Sequence, residues 1–227
     1  MGTTGLTAEL KTQTLVMTFR IDGNLCYLSH HETVTMLQRA LIRAGVRMIY
    51  SQGFNPRPRM SLPLPRAVGV RSDCEMLCAL VEAGEDTAES IRFRLEGQLP
   101  KDCTIRDIRL TDNRTSFQPV AATYRISVSN LATDPAIQQA MARLREDLAE
   151  RRPVEVERAN GTGRPSRILD VGPYLTKIEQ GTDWVSCRCR ITPEGSVRIE
   201  ELLTLLRIDP ARVVEPVRRE SVEWKQD

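Results

Sequence analysis

The chain has 227 residues, 41% of them hydrophobic and 27% charged, with a formal net charge of +2. Such a composition belongs to ordinary globular proteins and excludes disorder, a collagen-like repeat and a chain too small to build a core. No window approaches eighteen consecutive apolar residues and the N-terminal run lacks the charged start and apolar centre of a secretory leader, so no membrane association is predicted and the expected location is cytoplasmic.

In chain order, "TQTLVMTFRIDG" is β-branched and apolar and closes on an Asp-Gly turn, which predicts a first strand. "LSHHETVTMLQRALIRAG" follows. Ser29 and Glu32 have capping-box spacing, Val34, Leu37 and Leu41 recur at helical spacing, and Gly45 stands just past the end, so a helix is predicted. "VRMIY" and "CEMLCALVEA" predict two more strands, "TAESIRFRLEGQL" a helix capped by Thr87, and "CTIRDIRL" a fourth strand. The second half repeats the theme more loosely. "ATYRISVS" predicts a strand, Asp134 and Pro135 open a helix over "DPAIQQAMARLREDLAE", and "PVEVER" predicts a strand. "RILDVGPYLTKIEQ" and "DWVSCRCRI" supply further extended structure, "SVRIEELLTLLRI" a helix and "ARVVEPVRRESV" a last strand.

The predicted fold is therefore α+β: two tandem ferredoxin-like (βαββαβ) domains, each an antiparallel sheet with helices on one face. Their expected extents are 1–118 and 119–227, with "DNRTSFQP" as the boundary. The six cysteines (Cys26, Cys74, Cys78, Cys103, Cys187 and Cys189) are too few and scattered for a disulfide framework, and their C-x3-C and C-x-C spacings match no zinc pattern. They read as reduced thiols, with Cys187 and Cys189 on one face of a strand. No metal or cofactor is expected. The Asn-x-Thr triplets at Asn113 and Asn160 carry no weight in a cytoplasmic chain.

Between the second and third strands lies "YSQGFNPRPRMSLPLPRAVGVR", with Pro56, Pro58, Pro63 and Pro65 and no acidic residue. Proline at this density excludes a helix interior or a central strand, because it fixes φ and removes an amide donor. An exposed loop over Tyr50 to Arg66 is predicted, turning at Gln52-Gly53 and Asn55-Pro56, with Phe54 inserted into apolar surface to hold its base. Charge is concentrated here too. Forty residues between Glu32 and Asp73 contain seven arginines (Arg39, Arg43, Arg47, Arg57, Arg59, Arg66 and Arg71) and no Asp or Glu. Arginine forks onto phosphate and keeps its charge when partly buried, so Arg39, Arg43, Arg57, Arg59, Arg66 and Arg71 are candidate contacts for an anionic partner, RNA first. Neutralisation by acids from elsewhere in the fold is the competing reading. With four Phe, four Tyr and two Trp, and no paired strand aromatics, binding would rest on phosphate contacts and shape.

His30 and His31, the only histidines, fall on the first turn of the first helix. A helix N-terminus attracts anions, so an imidazole there is a candidate general base near a phosphate, with Tyr27, Ser29 and Tyr50 as candidate neighbours.

Leu28, Ser29 and His30, then Arg39, then Tyr50, Ser51, Gln52, Gly53, Phe54, Asn55, Pro56 and Pro58 resemble the signature of the radical-SAM-linked protein family, a domain that often follows a radical-SAM module and is sometimes encoded alone. Fainter similarity continues through "RILDVGPYL" and "VRIEELLTLL". His31, Glu32 and Arg57 depart from the Leu, Asp and His usual at those places. The resemblance implies a separate radical-SAM partner, since no C-x3-C-x2-C cluster motif occurs in the chain. The expected function is a non-catalytic module that binds RNA or a ribonucleoprotein, or presents a substrate, to that partner. The tandem layout also resembles the CRISPR repeat-processing endonucleases, which makes a metal-independent ribonuclease using His30 or His31 the first alternative. Their glycine-rich loop has only "EGQLPKD" opposite it here. A protein-interaction adaptor is the second alternative.

Overall fold

A computed structural model describes residues 11–112, 115–159 and 165–226; Asn113 and Asn160 lie outside them. The described elements run β1 (Thr12–Ile21), α1 (His30–Arg43), β2 (Met60–Ser61), β3 (Arg71–Glu82), α2 (Ala88–Glu96), β4 (Cys103–Thr111), β5 (Phe117–Ser127), α3 (Pro135–Ala149), β6 (Glu155–Arg158), β7 (Arg167–Asp170), β8 (Leu175–Gln180), β9 (Trp184–Arg190), α4 (Ile199–Leu205) and β10 (Arg218–Gln226). The chain is mixed α+β, with mostly antiparallel strands.

It divides into two compact units. The first holds residues 11–68, Glu75–Phe117 and Gln226, and the second Gly69–Cys74 with Gln118–Lys225. Relative to a contiguous division at 118, Gly69–Cys74 and Gln226 therefore change sides. Gly69–Cys74 joins the second unit because Arg71 and Ser72 pair in parallel with Arg218 and Arg219 of β10.

In the first unit the strands lie in the order β4-β1-β3, with β2 on the far edge of β3. Leu15, Met17, Phe19 and Ile21 alternate along β1, as a period of two requires, and pack with Leu37 and Leu41 of α1. The first helix begins where its local chemistry says it must. The Ser29 hydroxyl accepts from Glu32 N at 3.2 Å and the Glu32 carboxylate accepts from Ser29 N at 2.8 Å, satisfying two orphan donors reciprocally. Gly45 has φ +68°, which few other residues adopt cheaply, and lets the chain leave the helix.

The expected second strand is reduced to fragments. Met48 bridges Val81, and only Met60–Ser61 forms a strand, opposite Ala79 and Cys78. Nine residues, 50–58, are looped out between the two pieces.

In the second unit β10, β5, β9 and β8 lie side by side in that order, while β6 and β7 form a separate antiparallel pair. The "PVEVER" strand therefore exists but does not join the main sheet. Asp134 caps α3 by accepting from Ala136 N at 2.8 Å and Ile137 N at 3.1 Å, with Pro135 at the first helical position, where no amide is needed. Cys187 and Cys189 sit on one face of β9, both in the core. Burial pushes the Cys187 thiol up to about 12, leaving it protonated and inert.

The strongest polar tie in this unit joins β6 to α4. Arg158 Nε and Nη2 donate to the two Glu201 oxygens at 2.6 and 2.8 Å, and Nη2 also donates to Ser196 O at 2.8 Å. Both side chains are at least nine-tenths buried. Burial pushes the Glu201 carboxyl up, but the hydrogen bonds from Arg158 and from Arg198 N outweigh it and hold the group below the usual carboxylate range. A lowered folded-state value stabilises above the unfolded pKa of about 4.3 and is lost as pH falls through the folded one. Glu201→Ala is expected to cost about 3–5 kcal/mol near neutral pH, because Arg158 stays buried without its counter-charge. Urea midpoints followed from neutral to acid should converge between the two proteins; an undiminished gap in strong acid would refute the assignment.

Candidate functional site

Residues 50–58 leave the edge of the first unit's sheet and return to it through a closed main-chain gate. Ile49 N donates to Leu80 O, Leu80 N donates to Arg59 O, and Arg59 N donates to Ile49 O, each at 2.8 Å. One step further out, Ser51 N donates to Arg57 O at 2.8 Å, Arg57 N donates to Ser51 Oγ at 3.0 Å, and Tyr50 bridges Pro58. The loop is thus held by backbone groups from its base to Arg57. Beyond that, Gln52 to Arg57 are all exposed, and Gly53 turns at φ +128°.

Phe54 overturns its expected role. Its relative exposure is 106%, so it stands at the tip as a free aromatic side chain and anchors nothing. The physical reason is the gate, which closes the loop without a hydrophobic plug.

The seven arginines do not form one set. Arg66 is only 6% exposed. Its guanidinium donates to the carbonyls of Cys26 at 2.6 Å, Leu25 and Leu28 at 3.2 Å and Ala67 at 3.3 Å. It stitches the β2–β3 connection to the 3₁₀ turn at Gly23–Tyr27 and to the residue before the Ser29 cap, so it is withdrawn from the candidate phosphate contacts. Arg43 donates to Gln98 Oε1 at 3.1 Å and Gln98 O at 2.9 Å. Arg47 lies 3.5 Å from Glu82, and in the second unit Arg71 pairs with Glu215 at 3.0 Å. Arg39, Arg57 and Arg59 remain exposed, without an ion pair among the described residues.

Arg57 and Arg59 are separated by Pro58 in an extended segment, so their side chains leave the same face. Both backbones are pinned. Sequence spacing alone could not show this for Arg59, because Ile49 and Leu80, which pin it, offer only main-chain atoms; Arg57 is pinned by the amide and hydroxyl of Ser51.

Beside Arg59 is a groove of about 380 Å³, lined chiefly by Arg59, Ser61, Cys78, Leu80, Thr14 and Ser116. Leu77, Ala79 and Val81 of β3 belong to the core with α1 and α2, so the alternating Cys78 and Leu80 face away from the helices. Burial pushes the Cys78 thiol up to about 11, against a smaller opposing pull from Arg109. It is a packing group rather than a nucleophile.

His30 and His31 occupy the first turn of α1. Among the described residues neither imidazole has a side-chain hydrogen-bond partner to orient it as a base. The neighbouring Ser29 and Glu32 are committed to the cap, and the Ser29 hydroxyl and amide hold the Glu32 carboxyl below its ordinary range. Tyr27 is 60% exposed and Tyr50 39%. Among the described residues, no group of three His, Cys, Asp or Glu is placed to hold a metal ion.

The chain belongs to the bacterial family described as "Uncharacterized protein conserved in bacteria (DUF2344)", whose model matches residues 14–207. The residues singled out above, from Leu28 to Arg66, all fall within that match. No curated protein matches the sequence. Solved structures with similarity include the regulatory subunit of aspartate kinase from Thermus thermophilus, at 13% identity over 91% of this chain and 95% of that one, with a TM-score of 0.27. A protein from Galdieria sulphuraria aligns at 13% identity over 95% of this chain and 99% of that one, also with a TM-score of 0.27. At such scores neither supports a conclusion about fold or activity.

The division among the arginines is testable by unfolding. Arg66→Met takes the guanidinium from four carbonyls, of which Leu25 O keeps the Leu28 amide and Ala67 is exposed; it is expected to cost about 2–4 kcal/mol, since each buried group left unpaired costs roughly 1–3 kcal/mol. Arg57→Gln and Arg59→Gln should stay within about 0.5 kcal/mol of the parent. Equal effects from all three would show that the exposed pair is structural as well.

Proposed function

We propose that this protein is a non-catalytic RNA-binding module and that the loop from Tyr50 to Arg59 is its contact with a single strand. One observation carries the reading: Arg57 and Arg59 leave one face of a loop whose backbone is pinned at both residues, and neither has an ion pair among the described residues. Single-strand binders combine cationic tracking of phosphates with aromatic side chains for base stacking. The exposed Phe54 supplies the second element within three residues of the first.

The finer fold reading belongs here too. Each unit is read as a ferredoxin-like βαββαβ repeat. In both, the sheet order is fourth strand, first, third, second: β4-β1-β3-β2, and β10-β5-β9-β8 with β6–β7 as an insertion. The resemblance of the Leu28–Pro58 motifs to radical-SAM-linked proteins suggests that the bound RNA is presented to a separate radical-SAM enzyme.

Filter binding of an oligouridine about 12 nucleotides long, inside the roughly 4–16-nucleotide site sizes of such proteins, tests the reading. Each lost phosphate contact removes about 0.7 from the log–log salt slope, so Arg57→Gln with Arg59→Gln should flatten it by about 1.4. Phe54→Ala should weaken binding roughly 5- to 150-fold with the slope unchanged, as expected for one lost stacking contact of about 1–3 kcal/mol. Absence of binding at about 50 mM salt would sink the proposal. Cleavage of the RNA, abolished by His30→Ala in a folded protein, would replace it with the ribonuclease reading.

A further inference from the structure

The groove beside Arg59 is not needed for phosphate tracking, and its chemistry differs from that of the loop. Resting on the RNA reading, we propose that this groove is a base-reading subsite that receives one unstacked nucleobase of the bound strand.

Three properties support that occupant. The first is size. Its volume of about 380 Å³ lies at the small end of the roughly 300–1,000 Å³ typical of small-molecule sites, which suits one nucleotide unit. The second is the lining. Cys78 and Leu80 give an apolar floor on the face of the sheet turned away from α1 and α2, Ser61 sets a hydroxyl at its edge, and Ser116 and the buried Thr14, whose Oγ1 accepts from Thr115 N at 3.5 Å, complete the polar rim. A hydroxyl both donates and accepts, so such a rim can meet the mixed donor and acceptor edge of a base, whereas a purely aliphatic ligand would leave it unmatched. The third is charge. Among the described residues Arg59 is the one cation in the lining and no acid accompanies it. Arg109 lies near enough to draw the Cys78 thiol downward. A base carried on an anionic backbone fits this balance, and a cationic ligand does not.

Arg59 makes the link to the loop. Its amide donates to Ile49 O and its carbonyl accepts from Leu80 N, both at 2.8 Å, so its side chain starts from a fixed point on the groove wall. A phosphate held there places the attached nucleoside at the groove mouth. Ser61, two residues on and across from Cys78, continues the same wall, and Thr14 of β1 with Ser116 lines the groove on the other side of β3. This arrangement predicts that the protein distinguishes a strand with bases from a bare sugar–phosphate chain even without Phe54.

The test uses the Phe54→Ala protein, so that stacking at the loop tip contributes nothing. Its affinity is compared between the oligouridine of about 12 nucleotides and an abasic chain of equal length, within the usual site size. A preference of at least fivefold for the base-bearing strand is expected. Adding Ser61→Leu, which fills the groove with a side chain that can neither stack nor hydrogen bond, should erase that preference without altering the salt slope. Thermal unfolding checks that the double variant is folded. Should it not fold, photocrosslinking of 4-thiouridine in the same strand to the unmutated protein decides, with adducts expected on residues 59–61 or 78–80. Equal binding of both strands by Phe54→Ala, or crosslinks confined to 50–57, overturns the subsite and leaves the loop reading standing. If the unmutated protein binds neither strand at low salt, the loop reading and the subsite fall together.

Discussion

The candidate site depends on one small ring of main-chain hydrogen bonds. Ile49, Leu80 and Arg59 each donate to the next, at 2.8 Å, and so close a nine-residue excursion without using a side chain. Geometrically this is a greatly enlarged bulge: the edge strand is interrupted, yet its two ends pair with the same residue of β3. Because Leu80 gives both its N–H and its C=O to the junction, the edge remains satisfied where the loop departs. An edge strand of only two residues, flanked by Pro58 and Pro63, is also a poor template for pairing with a second chain. The same feature therefore displays the loop and protects the sheet.

The partition of the arginines follows from where each backbone is placed. Arg66 lies on the connection after β2, within reach of the carbonyl end of the 3₁₀ turn at Gly23–Tyr27, where unsatisfied C=O groups collect. A planar guanidinium can serve several carbonyls at once, which an ammonium on a flexible stem does less well. The Leu-Ser-His segment and the proline-rich segment, far apart in sequence, are thus joined by this one side chain. Arg59 stands at the gate and Arg57 just beyond it, and among the described residues no carboxylate pairs with either.

Legibility in the sequence tracked the range of the interactions involved. The starts of α1, α2 and α3 were readable because Ser29, Thr87 and Asp134 act on amides two or three residues away. The shared face of Cys187 and Cys189 was readable because strand alternation is local. The run from Val46 to Tyr50 was not readable as a broken strand, since the break is made by pairing with Leu80. Nor was the allegiance of Gly69–Cys74, which depends on parallel pairing with β10 some 145 residues later. Phe54 was misjudged for a related reason: hydrophobicity argues for burial only when no other force closes the loop. As for the site, the segment and its basic character were visible, but which arginines stay available was not. Linear charge density says nothing about carbonyls brought in by the fold.

The density of proline in the loop now has a physical account. A fully exposed phenylalanine and two arginines without an ion pair among the described residues gain nothing in the free protein, and any use of them in binding would be limited by the entropy lost when they are fixed. Pro56 and Pro58 fix φ on either side of Arg57, and the hydrogen bonds to Ser51 and Ile49 fix the main chain at Arg57 and Arg59. Much of the ordering cost is thereby met during folding rather than on encounter with a partner. Glycine at 53 acts in the opposite sense, supplying the positive φ the turn requires and leaving Phe54 next to the most permissive residue of the loop. The arrangement pairs a stiff cationic stem with an adaptable aromatic tip. Under the proposed RNA reading, a stem of that kind would set where a phosphate backbone lies while the tip adjusted to whichever base was offered, which suits a strand recognised by its chemistry as a chain more than by its sequence.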